Sequence, residues 1–231
     1  MDTIKAILFD PVACLAEFRP DEFNRAALEL DAKADGSAAT GSRAYWQLVG
    51  ILGRRGEALT AADRARLEAL ELQAVEAADL YPDVPACLDE LRELGVAAYL
   101  VSSLSRPALR RFLERFSIAQ SFAGAVAREE AGGVAALPVR HALAQAGLEA
   151  GRTMLLVDTA EMIELAKALG LRAVLMINDY DEGRMLAERS PAGGIVSLAE
   201  LPDALRLIEQ RSGLTAQSRA PRQPYDLFDP T

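Results

Sequence analysis

The chain has 231 residues, 51% of them hydrophobic, with 25 basic against 34 acidic residues and a net charge of −9. An acidic chain without a basic cluster argues against nucleic acid or an anionic membrane surface as a partner. No apolar run reaches the roughly 20 residues that a membrane span requires, and the length suits one good core with a smaller insert.

The start, Met1-Asp2-Thr3, leads straight into an apolar run, Ile4–Phe9, so no signal peptide is visible. Cys14 and Cys87 are far apart and form no Cys-x-x-Cys pair. They read as reduced thiols, which makes a cytoplasmic protein the expectation. The first run is a buried strand that delivers Asp10 to its carboxyl end, the place where an α/β sheet presents a nucleophile. Helices alone follow: Asp21–Ala32, Arg43–Leu52 and Ala61–Asp79, the last with Thr60 as N-cap. A small-residue linker, Ala34–Ser42, joins the first two.

From Asp83 the pattern changes to alternating helices and strands. An early Pro85 and a closing Gly95 bracket one helix, and Ser105 caps another whose apolar face is Leu109, Phe112, Leu113 and Phe116. Val96–Val101, Phe122–Val126, Met154–Val157 and Ala173–Ile177 read as buried parallel strands. Alternation of this kind predicts an α/β fold, a doubly wound parallel sheet with its site at the strands' carboxyl ends and an all-helical insert after the first strand. The expected domains are a core over 1–14 and 82–212, a helical insert over 15–81 and a polar, flexible tail over 213–231. The tail is Pro-rich and polar until Tyr225, Leu227 and Phe228, which could dock on the chain's own core, a second copy or a protein partner.

The opening strand with Asp10-Pro11-Val12-Ala13-Cys14-Leu15, the stretch Leu80–Pro85 and the run Val157-Asp158-Thr159…Ala166-Lys167-Ala168-Leu169-Gly170 resemble the haloacid dehalogenase (HAD) superfamily. The helical insert is similar to the C1-type cap of its subfamily I. The resemblance implies Asp10 as nucleophile, Ser102 as a hydroxyl contacting the transferring group, and Mg²⁺ held by Asp10, the Val12 carbonyl and Asp158. Two carboxylates and a carbonyl suit a hard cation. Asp158 also suits a helix N-cap, and Ser102 a strand-to-helix turn.

The chain departs from the family pattern at several positions. Val12 stands where a general acid/base aspartate is usual, a contribution of roughly 10²–10⁴ in rate. Ala13 and Cys14 replace Gly-Thr. The three lysines are Lys5, Lys33 and Lys167, so none occupies the expected place near Gly132–Pro138, and a main electrostatic partner of the phosphoryl oxygens is missing. Cys14 reads as an inert buried thiol, since a neighbouring carboxylate disfavours thiolate, and His141 as a packed or surface residue. In the cap, Arg43, Tyr45 and Trp46 could face the cleft and read a substrate, although aromatic residues at that helical spacing are more often core; Ser103, next to Ser102, is a further substrate-contact candidate.

These observations lead to a HAD-like protein with impaired or lost phosphatase chemistry, which could bind a small phosphorylated metabolite or a protein. An active, atypical hydrolase using Asp10, phosphoglycolate-phosphatase-like or dehalogenase-like, is the alternative. A regulatory subunit acting through its acidic surface and tail is a third.

Overall fold

The computed structural model describes residues 3–31, 39–55 and 58–218. Strand β1 (Ala6–Phe9) is followed by a single helical turn, α1 (Pro11–Cys14), and a short strand β2 (Ala16–Glu17). Helices α2 (Asp21–Leu30), α3 (Ser42–Arg55) and α4 (Ala61–Ala77) come next, and strand β3 (Asp79–Leu80) returns to pair antiparallel with β2. This two-stranded ribbon, which the sequence reading omits, carries both chain crossings between the helical insert and the rest.

Alternating units complete the chain: α5 (Val84–Glu93), β4 (Ala97–Val101), α6 (Arg106–Phe116), β5 (Gly124–Val126), α7 (Arg128–Ala131) and α8 (Ala136–Gln145). Then come β6 (Thr153–Val157), α9 (Ala160–Leu169), β7 (Arg172–Met176), α10 (Tyr180–Ala187), β8 (Gly193–Ile195) and α11 (Leu201–Ser218). Six strands form one parallel sheet in the order β5-β4-β1-β6-β7-β8. The chain moves outward from β1 in one direction through β4 and β5, then resumes on its other side with β6. The crevice outside the carboxyl ends at such a reversal is where doubly wound folds bind ligands.

Both faces of the sheet are covered, which explains why its strands read as continuous apolar runs. Along β1, Ile7 and Phe9 join one core layer and Leu8 the other, the period of two that a strand imposes. Phe112 of α6 is fully buried and stacks on Phe18. The first layer continues without a break into the insert, through Phe23, Tyr45, Leu48 and Leu67.

Element boundaries shift in understandable ways. The expected strand Phe122–Val126 shortens to three residues, because a turn of 3₁₀ helix occupies Ala119–Ser121 and ends at Phe122. β8 is absent from the sequence reading because two of its three residues are glycine and carry no apolar signature. Gly95 has φ +70 just past α5, the left-handed position that lets the chain leave a helix without a Cβ penalty. α11 runs to Ser218, six residues into the segment expected to be a flexible tail. The linker Ala34–Ser42 lies mostly, and the apolar end of the tail wholly, outside the described residues. No described helix is long and apolar enough to cross a membrane.

Thr60 forms a full capping box on α4: its hydroxyl accepts from the Asp63 N–H (3.1 Å), and the Asp63 carboxylate accepts from the Thr60 N–H (2.9 Å). Thr60→Ala should therefore cost about 1 kcal/mol in urea unfolding. An unchanged midpoint would show that α4 is held by packing alone.

Candidate functional site

The carboxyl ends of three adjacent strands meet beneath the helical insert: β1 supplies Asp10, β4 supplies Ser102 and Ser103, and β6 supplies Asp158. All four are buried, Asp10 at 5% exposure and Asp158 at 6%. Asp10 caps the turn α1, accepting the Val12 N–H on Oδ1 at 2.9 Å. Asp158 does not cap α9; Thr159 does, accepting from the Met162 N–H. The Asp158 carboxylate is thus left to point across the crevice.

Helix α3 closes that crevice with two consecutive aromatic residues. The Tyr45 hydroxyl donates to Asp10 Oδ2 (3.2 Å) and accepts the Ser103 N–H (3.1 Å). The Trp46 indole N–H donates to Asp158, 3.1 Å from Oδ1 and 3.2 Å from Oδ2. Tyr45 is 1% exposed and packs edge-on against Trp46 and Phe23. These aromatics are core residues and carboxylate partners together, two roles that the sequence presents as alternatives.

Electrostatics follow from burial. Desolvation pushes the Asp10 carboxyl well above the usual carboxylate range, and nearby Asp158 adds to the rise; the Val12 N–H and Tyr45 hydroxyl offset part of it. Asp158 is pushed up to about 6, chiefly by burial, with hydrogen bonds from Ser42 and Trp46 working against it. The Cys14 thiol, whose Sγ lies 3.7 Å from the Leu156 carbonyl oxygen, is pushed up by burial and by Asp158 and Asp10, so it is inert.

The residues do not fit a divalent cation in this arrangement. Both Asp10 oxygens and both Asp158 oxygens face N–H or O–H donors, so positive hydrogens stand where a cation would need lone pairs. Among the described residues no group of three or more His, Cys, Asp or Glu side chains gathers at a common point.

The other expected contacts are engaged with the protein itself or lie outside the crevice. Ser102 Oγ accepts the Leu104 N–H (3.1 Å), the turn-satisfying role, and also lies against Tyr45. Arg43 is on the surface, paired with Glu182 of α10 at 3.2 Å. His141 is half-buried on α8. At the loop expected to carry lysine, the Ala135 N–H donates to Ser103 Oγ at 2.8 Å.

One group escapes the sequence reading. Arg128, at the start of α7, pairs with Glu71 of α4 and donates to the Ser103 carbonyl (3.2 Å); the same Glu71 accepts the Ser105 N–H (3.1 Å). Glu71 is 1% exposed. A signal existed, since Glu71 falls on the apolar stripe Leu67, Leu70, Ala74 and Val75 of α4, where a lone carboxylate needs a buried partner.

A family model described as haloacid dehalogenase-like hydrolase matches residues 51–176, more than half of the chain. No curated protein matches the sequence. Among solved structures, a predicted phosphatase from Clostridium acetobutylicum superposes with a TM-score of 0.68 at 14% identity, covering 90% of this chain and 99% of that one. A predicted phosphoglycolate phosphatase from Haemophilus somnus gives 0.63 at 15%, covering 87% and 97%. L-2-haloacid dehalogenase from Xanthobacter autotrophicus gives 0.58 at 18%, covering 88% and 99%. At such identities the likeness speaks for the fold, and the family match adds descent: the chain belongs to the haloacid dehalogenase-like hydrolases.

Proposed function

We propose that this chain is a catalytically silent member of its family, one that works by binding rather than by turnover, with α2–α4 acting as a C1-type cap closed on the core. The observation that supports this reading is the Tyr45 hydroxyl. It sits between Asp10 Oδ2 and the Ser103 N–H, a position from which a substrate's reacting group would have to displace it. A nucleophilic carboxylate must be ionised and reachable. Asp10 is buried, hydrogen-bonded on both oxygens and biased toward its neutral acid. Val12 adds no proton donor, and the loop near Ala135 brings an amide rather than an ammonium group to Ser103.

The test is hydrolysis of p-nitrophenyl phosphate with Mg²⁺. Turnover should stay at least about 100-fold below an ordinary family phosphatase, in keeping with the loss of acid/base assistance. A rate within about tenfold of such an enzyme, abolished by Asp10→Asn, would overturn the reading.

A second reading, an atypical hydrolase that opens its cap, is favoured by one observation: Asp10, Ser102 and Asp158 keep their places at the ends of neighbouring strands. Trapping an Asp10 adduct with fluoroberyllate would support it, and failure to trap with Mg²⁺ present would count for the silent reading.

A further inference from the structure

Among the described residues, two clefts on the surface are notable, and neither is lined by Asp10 or Asp158. The smaller, about 570 Å³ beside the β2–β3 ribbon, has Glu17 and Asp83 on its walls and no basic residue among its lining. The larger, about 1000 Å³, lies between the insert and the core, with walls from α3, α4, α7 and the loop leading into α8. Three arginines line it from three helices: Arg54, Arg64 and Arg128. Arg128 is committed to Glu71 and Glu129, so the cations open to a ligand are Arg54 and Arg64, with Glu68 the described lining carboxylate that opposes them. The Glu129 carboxylate is already occupied by the Arg106 N–H (2.8 Å) and the Arg128 guanidinium (3.3 Å). Among the described residues, Arg54 makes a long 4.0 Å pair with Asp31 from an exposed position. Between these cations the wall is apolar, built from Leu52, Leu67 and Val134.

The loop that closes the cleft carries local strain. Ala135 adopts φ 58, ψ −105, a region unfavourable for any residue with a Cβ, and its N–H is pinned by Ser103. Strained backbone of this kind persists where the surroundings over-determine it, often at ligand sites.

We propose that this cleft is a binding site for a small amphiphilic anion, an aliphatic body ending in a carboxylate or a phosphate. The apolar wall takes the body, and Arg54 and Arg64 take the head through charge-assisted hydrogen bonds. The volume is at the upper end for small-molecule pockets. A purely inorganic anion would leave the leucine and valine surface in water, and a cationic ligand would face the arginines. The proposal goes beyond the silent reading of Asp10 and does not depend on it, because the readout is binding without turnover.

Full-length protein titrated with octanoate and with octyl phosphate, followed by calorimetry and by NMR shifts, tests it. Saturable binding is expected, weakened at least about tenfold by Arg54→Glu with Arg64→Glu. Both arginines are exposed, so the fold should hold, and the single Arg64→Gln keeps the test open should the double variant fold poorly. Glu17→Gln, in the other cleft, should leave affinity unchanged. Equal binding of octylamine, unaltered affinity in the arginine variants, or no saturation by either anion up to on the order of 10 mM would each overturn the proposal.

Discussion

Glu71→Ala should be the most damaging single change in the joint between insert and core, costing about 3–5 kcal/mol in urea unfolding. The substitution strips a largely buried guanidinium of its buried counter-charge, leaving it the more exposed Glu129, and takes the acceptor from the Ser105 N–H. Removing one partner of a buried pair costs far more than the pair itself contributes, because the remaining charge stays desolvated. Domains of this kind are stable by only about 5–15 kcal/mol, so at least about a fifth of the total would go. Two comparisons separate charge from packing. Glu71→Gln keeps an acceptor for Ser105 and should lose less. Glu71→Met combined with Arg128→Met removes both charges and should come close to wild type. If the double methionine variant is as unstable as Glu71→Ala, the damage comes from lost geometry, and the ion-pair account fails.

The second large effect has the opposite sign. Asp158→Asn should stabilise the protein at pH 8, by up to about 3 kcal/mol. Asp158 titrates near 6 in the folded chain and near 3.9 when unfolded. The folded state therefore binds the proton more tightly. Its stabilising contribution is complete below about pH 4 and is lost as pH rises through about 6. Each tenfold change in proton affinity corresponds to about 1.4 kcal/mol, which sets the ceiling. Asparagine stays neutral and can still accept the Trp46 N–H through its carbonyl. The advantage of the variant should shrink toward pH 5, where the wild-type carboxyl is largely protonated. Denaturant unfolding at pH 5 and pH 8 checks this; an equal difference at both would dismiss Asp158 ionisation as the cause. Desolvation raises Asp10 in the same sense, so both carboxyl groups make the folded chain more stable in mild acid than above neutrality.

Much of the fold was legible because it rests on signals that are local in the chain. The run Ile4–Phe9 ending at Asp10 could only be a buried strand, and Ser105 and Thr60 announced their helices by side-chain chemistry that acts within three residues. The positions of Asp10, Ser102 and Asp158 followed from the same logic, since each ends a strand of the parallel sheet. What could not be read was pairing across long separations. Tyr45 reaches Ser103, 58 residues away, and Trp46 reaches Asp158, 112 residues away. Aromatic residues on a helix look alike whether they fill a core or hold a carboxylate. Arg128 lies beside Ser103 because Glu71, 57 residues distant, draws it there. β8 escaped for a different reason: glycines satisfy a sheet edge through backbone alone.

Trp46 is the chain's one tryptophan, and it stands where the insert meets the core with its indole against an ionisable group. Its intrinsic fluorescence is thus a label supplied by the protein itself. Any event that lifts α3 from Asp158, whether a bound molecule, a change of acidity or a substitution, would move the ring toward water and shift its emission. Any such displacement can be followed on the untagged native chain.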